Sequence, residues 1–185
     1  KTLESLKGSL ELAWRLGILL GQIEHRSPKK CRLYYKGEVA GKDTRILSAA
    51  FAAGLLENAL DTEVNIVNAP MLLEERGLEL VEERSSDVGV FSSLIGAEIE
   101  SDEKKTFIAG TLFGANMPRL VQYNDYRLES YLDGILLIFD HQDRPGVIGA
   151  VGNVFGASRV NIAQMTVGRL EEKPGGRAIG ILSLD

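Results

Sequence analysis

Five consecutive apolar residues, Ile135-Leu136-Leu137-Ile138-Phe139, run straight into the polar turn His141-Gln142-Asp143-Arg144-Pro145-Gly146. No other feature of the chain limits its fold so tightly. An unbroken apolar run of strand length predicts a strand buried on both faces. The turn then opens a helix to about Ala157. A second strand over Asn161–Arg169, a turn over Glu171–Gly176 and a third strand over Arg177–Leu184 complete a β-α-β-β order. A ferredoxin-like unit needs one further helix and strand. Residues 132–185 are therefore expected to form an incomplete ferredoxin-like (βαββ) domain.

Upstream the periods differ. Leu3, Leu6, Leu10, Ala13, Trp14, Gly17, Ile18 and Gly21 recur at helical spacing and predict an amphipathic helix to about residue 25. Its apolar face needs a partner, expected in a preceding domain, and Ser27-Pro28-Lys29-Lys30 reads as a hinge. Residues 1–26 are set apart as a linking helix, and 27–131 as one domain. Within that domain Cys31–Lys36 alternates as a half-buried strand. Asp43 or Thr44 can cap a helix with Ile46, Leu47, Ala50, Phe51, Gly54 and Leu55 on one face. Pro70 and Gly77 bracket a two-turn helix. Strands are expected at Val64–Val67, Leu78–Glu82, Val88–Ile99, Thr106–Phe113 and Arg119–Tyr123. The fold class is α+β throughout, with a mostly antiparallel sheet in the first domain.

Composition closes several routes. A net charge of -5 speaks against nucleic acid, whose phosphates need a basic face. The acidic cluster Glu74, Glu75, Glu79, Glu82 and Glu83 reads as a solvated surface. With Cys31 alone there is no disulfide within the chain, and its alternating strand predicts a buried thiol. His25 and His141 are too few for a zinc site. No apolar run approaches the ~18 residues of a membrane span. The chain opens inside a helical pattern, without an initiator Met or signal peptide, and reads as part of something larger.

The turn after Phe139 carries the candidate chemistry. Gly146 lets a ligand approach the backbone, and the first N–H groups of a helix, beginning at Val147, suit a carboxylate. His141 and Asp143, two apart on a strand end, flank that opening. The same residues are satisfied more plainly if Asp143 caps the helix and His141 is solvated. Gly146, Gly149, Gly152 or Asn153, and Gly156 form one stripe, and each interior glycine costs about 1 kcal/mol relative to alanine. Close packing on its own sheet or on a second copy would account for the stripe. The spacing is not that of a dinucleotide fingerprint, and Glu24-His25 at a helix end is not a catalytic pair.

His-Gln-Asp-Arg-Pro-Gly-Val-Ile-Gly with Val160-Asn161-Ile162-Ala163 resembles the ACT domain of D-3-phosphoglycerate dehydrogenases. Val64–Pro70 with Glu75-Arg76-Gly77, and Ala109–Gly114 with Pro118–Val121, are similar to the intervening, allosteric substrate-binding domain of that family's long form. Leu12–Gln22 resembles the helix joining the family's catalytic part to this domain. The resemblance covers essentially the whole chain.

It implies a regulatory and oligomerisation segment without catalytic residues or cofactor of its own, NAD belonging to an upstream catalytic part. The implied enzyme oxidises D-3-phosphoglycerate in L-serine biosynthesis. The implied effector is L-serine, held between two ACT domains by His141, Asp143, Gly146 and Val147 of one subunit and Asn161 of another. Many members carry Asn at position 143, where this chain has a carboxylate that accepts hydrogen bonds but does not donate them. Arg119 matches one anion-binding position of the intervening domain, while Tyr131 and Ser183 stand where two further basic residues would align. The expected partners are L-serine, the segment's own catalytic domains and further copies of itself, with no nucleic acid and no membrane. The expected location is the cytoplasm, or an organelle stroma in a plant. Two rivals remain: the regulatory region of an L-serine dehydratase, and a stand-alone amino-acid-sensing oligomerisation module.

Overall fold

The computed structural model describes residues 2–24, 28–61, 63–102 and 104–185, with no side-chain description for 2–5. His25, Ser27 and the side chain of Leu3 lie outside the described residues. The elements are α1 (Thr2–Ile23), β1 (Lys30–Gly37), a 3-10 turn (Glu38–Gly41), α2 (Thr44–Leu56), α3 (Ala69–Glu75) and β2 (Glu79–Ser85). There follow β3 (Ser93–Glu100), β4 (Lys105–Phe113), β5 (Met117–Tyr123), β6 (Tyr126–Tyr131), β7 (Ile135–Gln142), α4 (Val147–Ala157), β8 (Ile162–Arg169) and β9 (Arg177–Leu184). Strand order is β2-β1-β3-β4-β5-β6 in one sheet and β7-β9-β8 in the other. The chain divides inside β5 into two compact units, Lys1–Arg119 and Leu120–Asp185, and each is described by itself.

In the first unit β1 alternates as its sequence predicts, with Cys31, Leu33 and Tyr35 buried. It pairs in parallel with β2, reached through α2 and α3, and antiparallel with β3. Burial, with a smaller contribution from Glu98, pushes the Cys31 thiol far up, so it is an inert core group. α1 packs on α2 of this same unit. Gly17 lies against the backbone of Phe51, Gly54 against that of Trp14, and Gly21 against that of Leu55, so a Cβ at any of them would run into main chain. Glycine lets the two helix backbones approach this closely, and eleven of the thirteen α2 residues are buried as a result.

Asp43 occupies the N-cap position of α2, but its side chain makes no capping hydrogen bond. Thr44 is used differently: its hydroxyl donates to Glu82 Oε2 at 2.8 Å, while Ser48 donates to Oε1 at 2.6 Å. Tyr35 Oη lies 2.8 Å from Ser48 Oγ, and Arg84 reaches Glu82 Oε2 at 2.7 Å. Partial burial of Glu82 pushes its pKa up. The hydrogen bonds from Ser48 and Thr44, and the Arg84 guanidinium, outweigh that and hold the carboxyl below its usual range. This network ties the start of α2 to β2.

Two expected strand spans change. Val64–Val67 is not a strand but a loop and turn leading into α3. Asn65 Oδ1 accepts from the N–H groups of Val67 and Asn68, and Asn68 Oδ1 accepts from that of Asn65. These side chains take the donors a ladder would have used. The expected strand from Val88 begins only at Ser93, and Val88 and Val90 stand exposed in the preceding loop.

In the second unit β9 is the central strand, with six consecutive buried residues from Ala178 to Ser183. The β5–β6 hairpin, whose second strand the sequence did not suggest, turns at Asn124, with φ 49. Gln164 Oε1 accepts from the Tyr131 N–H at 2.9 Å and joins β6 to β8. β7 departs from expectation, since Ile135 and Leu137 are exposed and none of its residues is buried. Among the described residues it is an edge strand paired on one side by β9. The glycine stripe of α4 departs as well. At Gly146, Gly149, Gly152 and Gly156 a Cβ would meet nothing within 4 Å among the described residues, so the helix's own sheet does not explain the stripe. No residue of this apolar helix is buried.

Candidate functional site

The β7–α4 turn is built from backbone constraints. Beyond Gln142, Asp143 N–H donates to Gly176 O at 2.9 Å, and Gly175 N–H donates to Asp143 O at 2.9 Å. The Glu171–Gly176 turn thereby clamps the residue after the strand. Gly146 is the N-cap of α4 at φ 91 and ψ -21, a left-handed conformation that glycine accepts without strain. No side chain caps the helix, and its first internal bond runs from Ala150 N–H to Gly146 O at 2.9 Å. The amides following Val147 thus carry the partial positive charge of an uncapped helix start.

Asp143 does not cap α4, because it stands three residues before the cap and its carboxylate faces elsewhere. Arg169 Nε lies 2.7 Å from Oδ2 and Nη2 lies 3.4 Å from Oδ1, with the Asp143 side chain 15% exposed and Arg169 52%. The Oδ2 contact is an ion pair without hydrogen-bond alignment. His141 is half-buried rather than solvated. Its Nδ1–H donates to Gln142 O at 2.9 Å, leaving Nε2 as a buried acceptor with no hydrogen-bond partner among the described residues. The Phe139 ring lies against Gly180 on β9 and 5.4 Å from the His141 ring, which fixes the imidazole's direction.

Asn161 lies elsewhere. It directly precedes β8, where Ile162 pairs with Leu184 and Leu184 with Ile135, whereas His141 and Gln142 sit at the other end beside Ala178 and Arg177. Seven residue steps separate the ends, about 23 Å of strand. Asn161 Nδ2 donates to Asp185 Oδ1 at 2.7 Å and is exposed. One chain therefore brings His141, Asp143, Gly146 and Val147 together but not Asn161.

Arg119 belongs to the first unit, with its guanidinium 5.6 Å from the Phe113 ring centre and Nη1 donating to Pro118 O at 2.9 Å. Tyr131 and Ser183 belong to the second. A 610 Å³ groove in the first unit is lined by Leu10, Trp14, Ala50 and Ile66, with Lys7 and Glu11 also on its wall. Among the described residues no cluster of three His, Cys, Asp or Glu side chains could hold a metal ion. Sequence reasoning missed Arg169 and Gln164. Arg169 lies 26 positions from Asp143, and only the β7-β9-β8 order sets their ends side by side.

Residues 5–124 match the family model described as the D-3-phosphoglycerate dehydrogenase intervening domain. The chain belongs to that family. Residues 135–185 match the ACT domain model, so the uncapped turn and its Asp143–Arg169 pair lie in the ACT part. D-3-phosphoglycerate dehydrogenases from Methanocaldococcus jannaschii and Archaeoglobus fulgidus are similar to the chain, at 37% identity over 183 residues and 35% over 176. These matches cover 99% and 95% of this chain, and 34% and 33% of the relatives. The Bacillus subtilis D-3-phosphoglycerate dehydrogenase is 33% identical over 175 residues, again 95% of this chain and 33% of its own length. The chain thus spans about a third of the curated relatives it matches. No helix among the described residues is long and apolar enough to cross a membrane.

Proposed function

We propose that this intervening-plus-ACT segment is the regulatory and oligomerisation part of an NAD-dependent D-3-phosphoglycerate dehydrogenase of L-serine biosynthesis, in which L-serine is sensed between two ACT domains. The observation that carries the reading is the separation of Asn161 from His141 and Asp143 by the length of the sheet. These residues form one site only when a second copy supplies Asn161. Serine's carboxylate would meet the amides after Gly146, its ammonium would face Asp143, and His141 would close the mouth. The segment itself would hold neither NAD nor the catalytic groups. Serine favours the subunit arrangement that completes its site, and the intervening domain passes that bias to the catalytic part.

The test is thermal unfolding of the intact polypeptide that carries this segment. A ligand bound only to the folded assembly at 100 times its Kd contributes about 2.7 kcal/mol of stability and raises Tm. Asn161→Ala is expected to abolish the rise. An unmoved melting curve at saturating L-serine refutes the site.

A further inference from the structure

The proposed site contains a charge conflict that its sequence does not reveal. If the effector's ammonium faces Asp143, it meets a carboxylate already engaged by Arg169 through Nε at 2.7 Å and Nη2 at 3.4 Å. Asp143 itself is held in place. Its N–H and C=O are both tied to the Gly175–Gly176 turn, and its side chain is mostly buried. The guanidinium is the movable member of the pair, half-exposed on the last residue of β8. Arg177, also at this end of the sheet, lies 3.8 Å from Asp140 and not on Asp143. Two cations on one carboxylate repel each other, so an ammonium gains most from Asp143 when Arg169 moves aside.

We infer that Arg169 is a specificity-determining residue of the effector site: it occupies the ammonium seat on Asp143 and sets how much binding an α-amino group contributes. This rests on the reading of the site given above. An effector with an ammonium must displace the guanidinium. A hydroxy acid without one binds at the helix start with the Asp143–Arg169 pair intact. The guanidinium is half-exposed and the carboxylate mostly buried, so its displacement weakens amino-acid binding by a few-fold and does not forbid it.

The experiment compares L-serine with 3-hydroxypropanoate, which is serine without its ammonium, by calorimetric titration of the intact polypeptide. Arg169→Met is expected to tighten serine about two- to fivefold, the equivalent of one partly exposed ion pair, and not to tighten 3-hydroxypropanoate, whose carboxylate loses a nearby cation. Should loss of the arginine leave Asp143 too costly for folding, Arg169→Gln keeps an amide donor on the carboxylate and is expected to shift serine in the same direction. Serine affinity that is unchanged or weaker in the folded variants overturns the inference. Asn161→Ala separates the two failures. If it abolishes serine binding while the Arg169 variants bind as the parent does, the site stands and the role of Arg169 falls. If Asn161→Ala binds serine normally, or no form binds it, the site falls and the inference with it.

Discussion

The helices α2 and α4 are of similar kind in sequence, since both are rich in small and apolar residues with glycine inside the helix. Their surroundings are opposite. α2 buries eleven of its thirteen residues, and its Gly54 touches the main chain of α1. α4 buries none, and its glycines face open space among the described residues. An interior glycine therefore records a demand for close approach without naming what approaches. In the first unit the demand is met within the chain. In the second, nothing among the described residues of the unit meets it.

The comparison breaks most sharply at the α1–α2 crossing. Gly54→Val drives a branched side chain into the backbone around Trp14, where neither helix can yield by a rotamer change. A loss of about 3 kcal/mol or more is expected, the upper end for overpacking, read from the midpoint of chemical denaturation.

Glu82→Gln is expected to act next, costing about 1–2 kcal/mol near neutral pH as charge-assisted hydrogen bonds from Ser48, Thr44 and Arg84 weaken. The pH dependence gives a second reading of the same network. The folded pKa of Glu82 lies below its ordinary value, so its contribution is present above the ordinary glutamate range and is lost as pH falls through the lowered folded pKa. Denaturation at stepped acid pH should show a shallower loss in the Gln variant over that window.

The smallest effect sharpens the comparison. At Gly149 the Cβ of alanine has room, so Gly149→Ala is expected to raise the stability of the isolated chain by up to about 1 kcal/mol. If a second copy packs on the stripe, the same change weakens self-association in sedimentation. Stability and assembly then move in opposite directions, whereas at Gly54 only stability is lost.

Much of this protein was legible in its sequence alone. Alternation exposed β1, helical spacing exposed α1 and α2, Pro70 and Gly77 framed α3, and the turn at Gly146 marked the start of α4. Each is a local signal, carried by residues a few positions apart, and local sterics and hydrogen bonding enforce it. The false strand at Val64–Val67 came from reading apolar β-branched residues without the side-chain bonds of Asn65 and Asn68. Tertiary structure alone decided which surface covers α1, that Arg169 meets Asp143, and that Asn161 lies a full strand away from His141. Those facts depend on strand order and helix crossing, which juxtapose residues tens of positions apart. The apolar period of a segment says that a face must be covered; only the packed chain says by what.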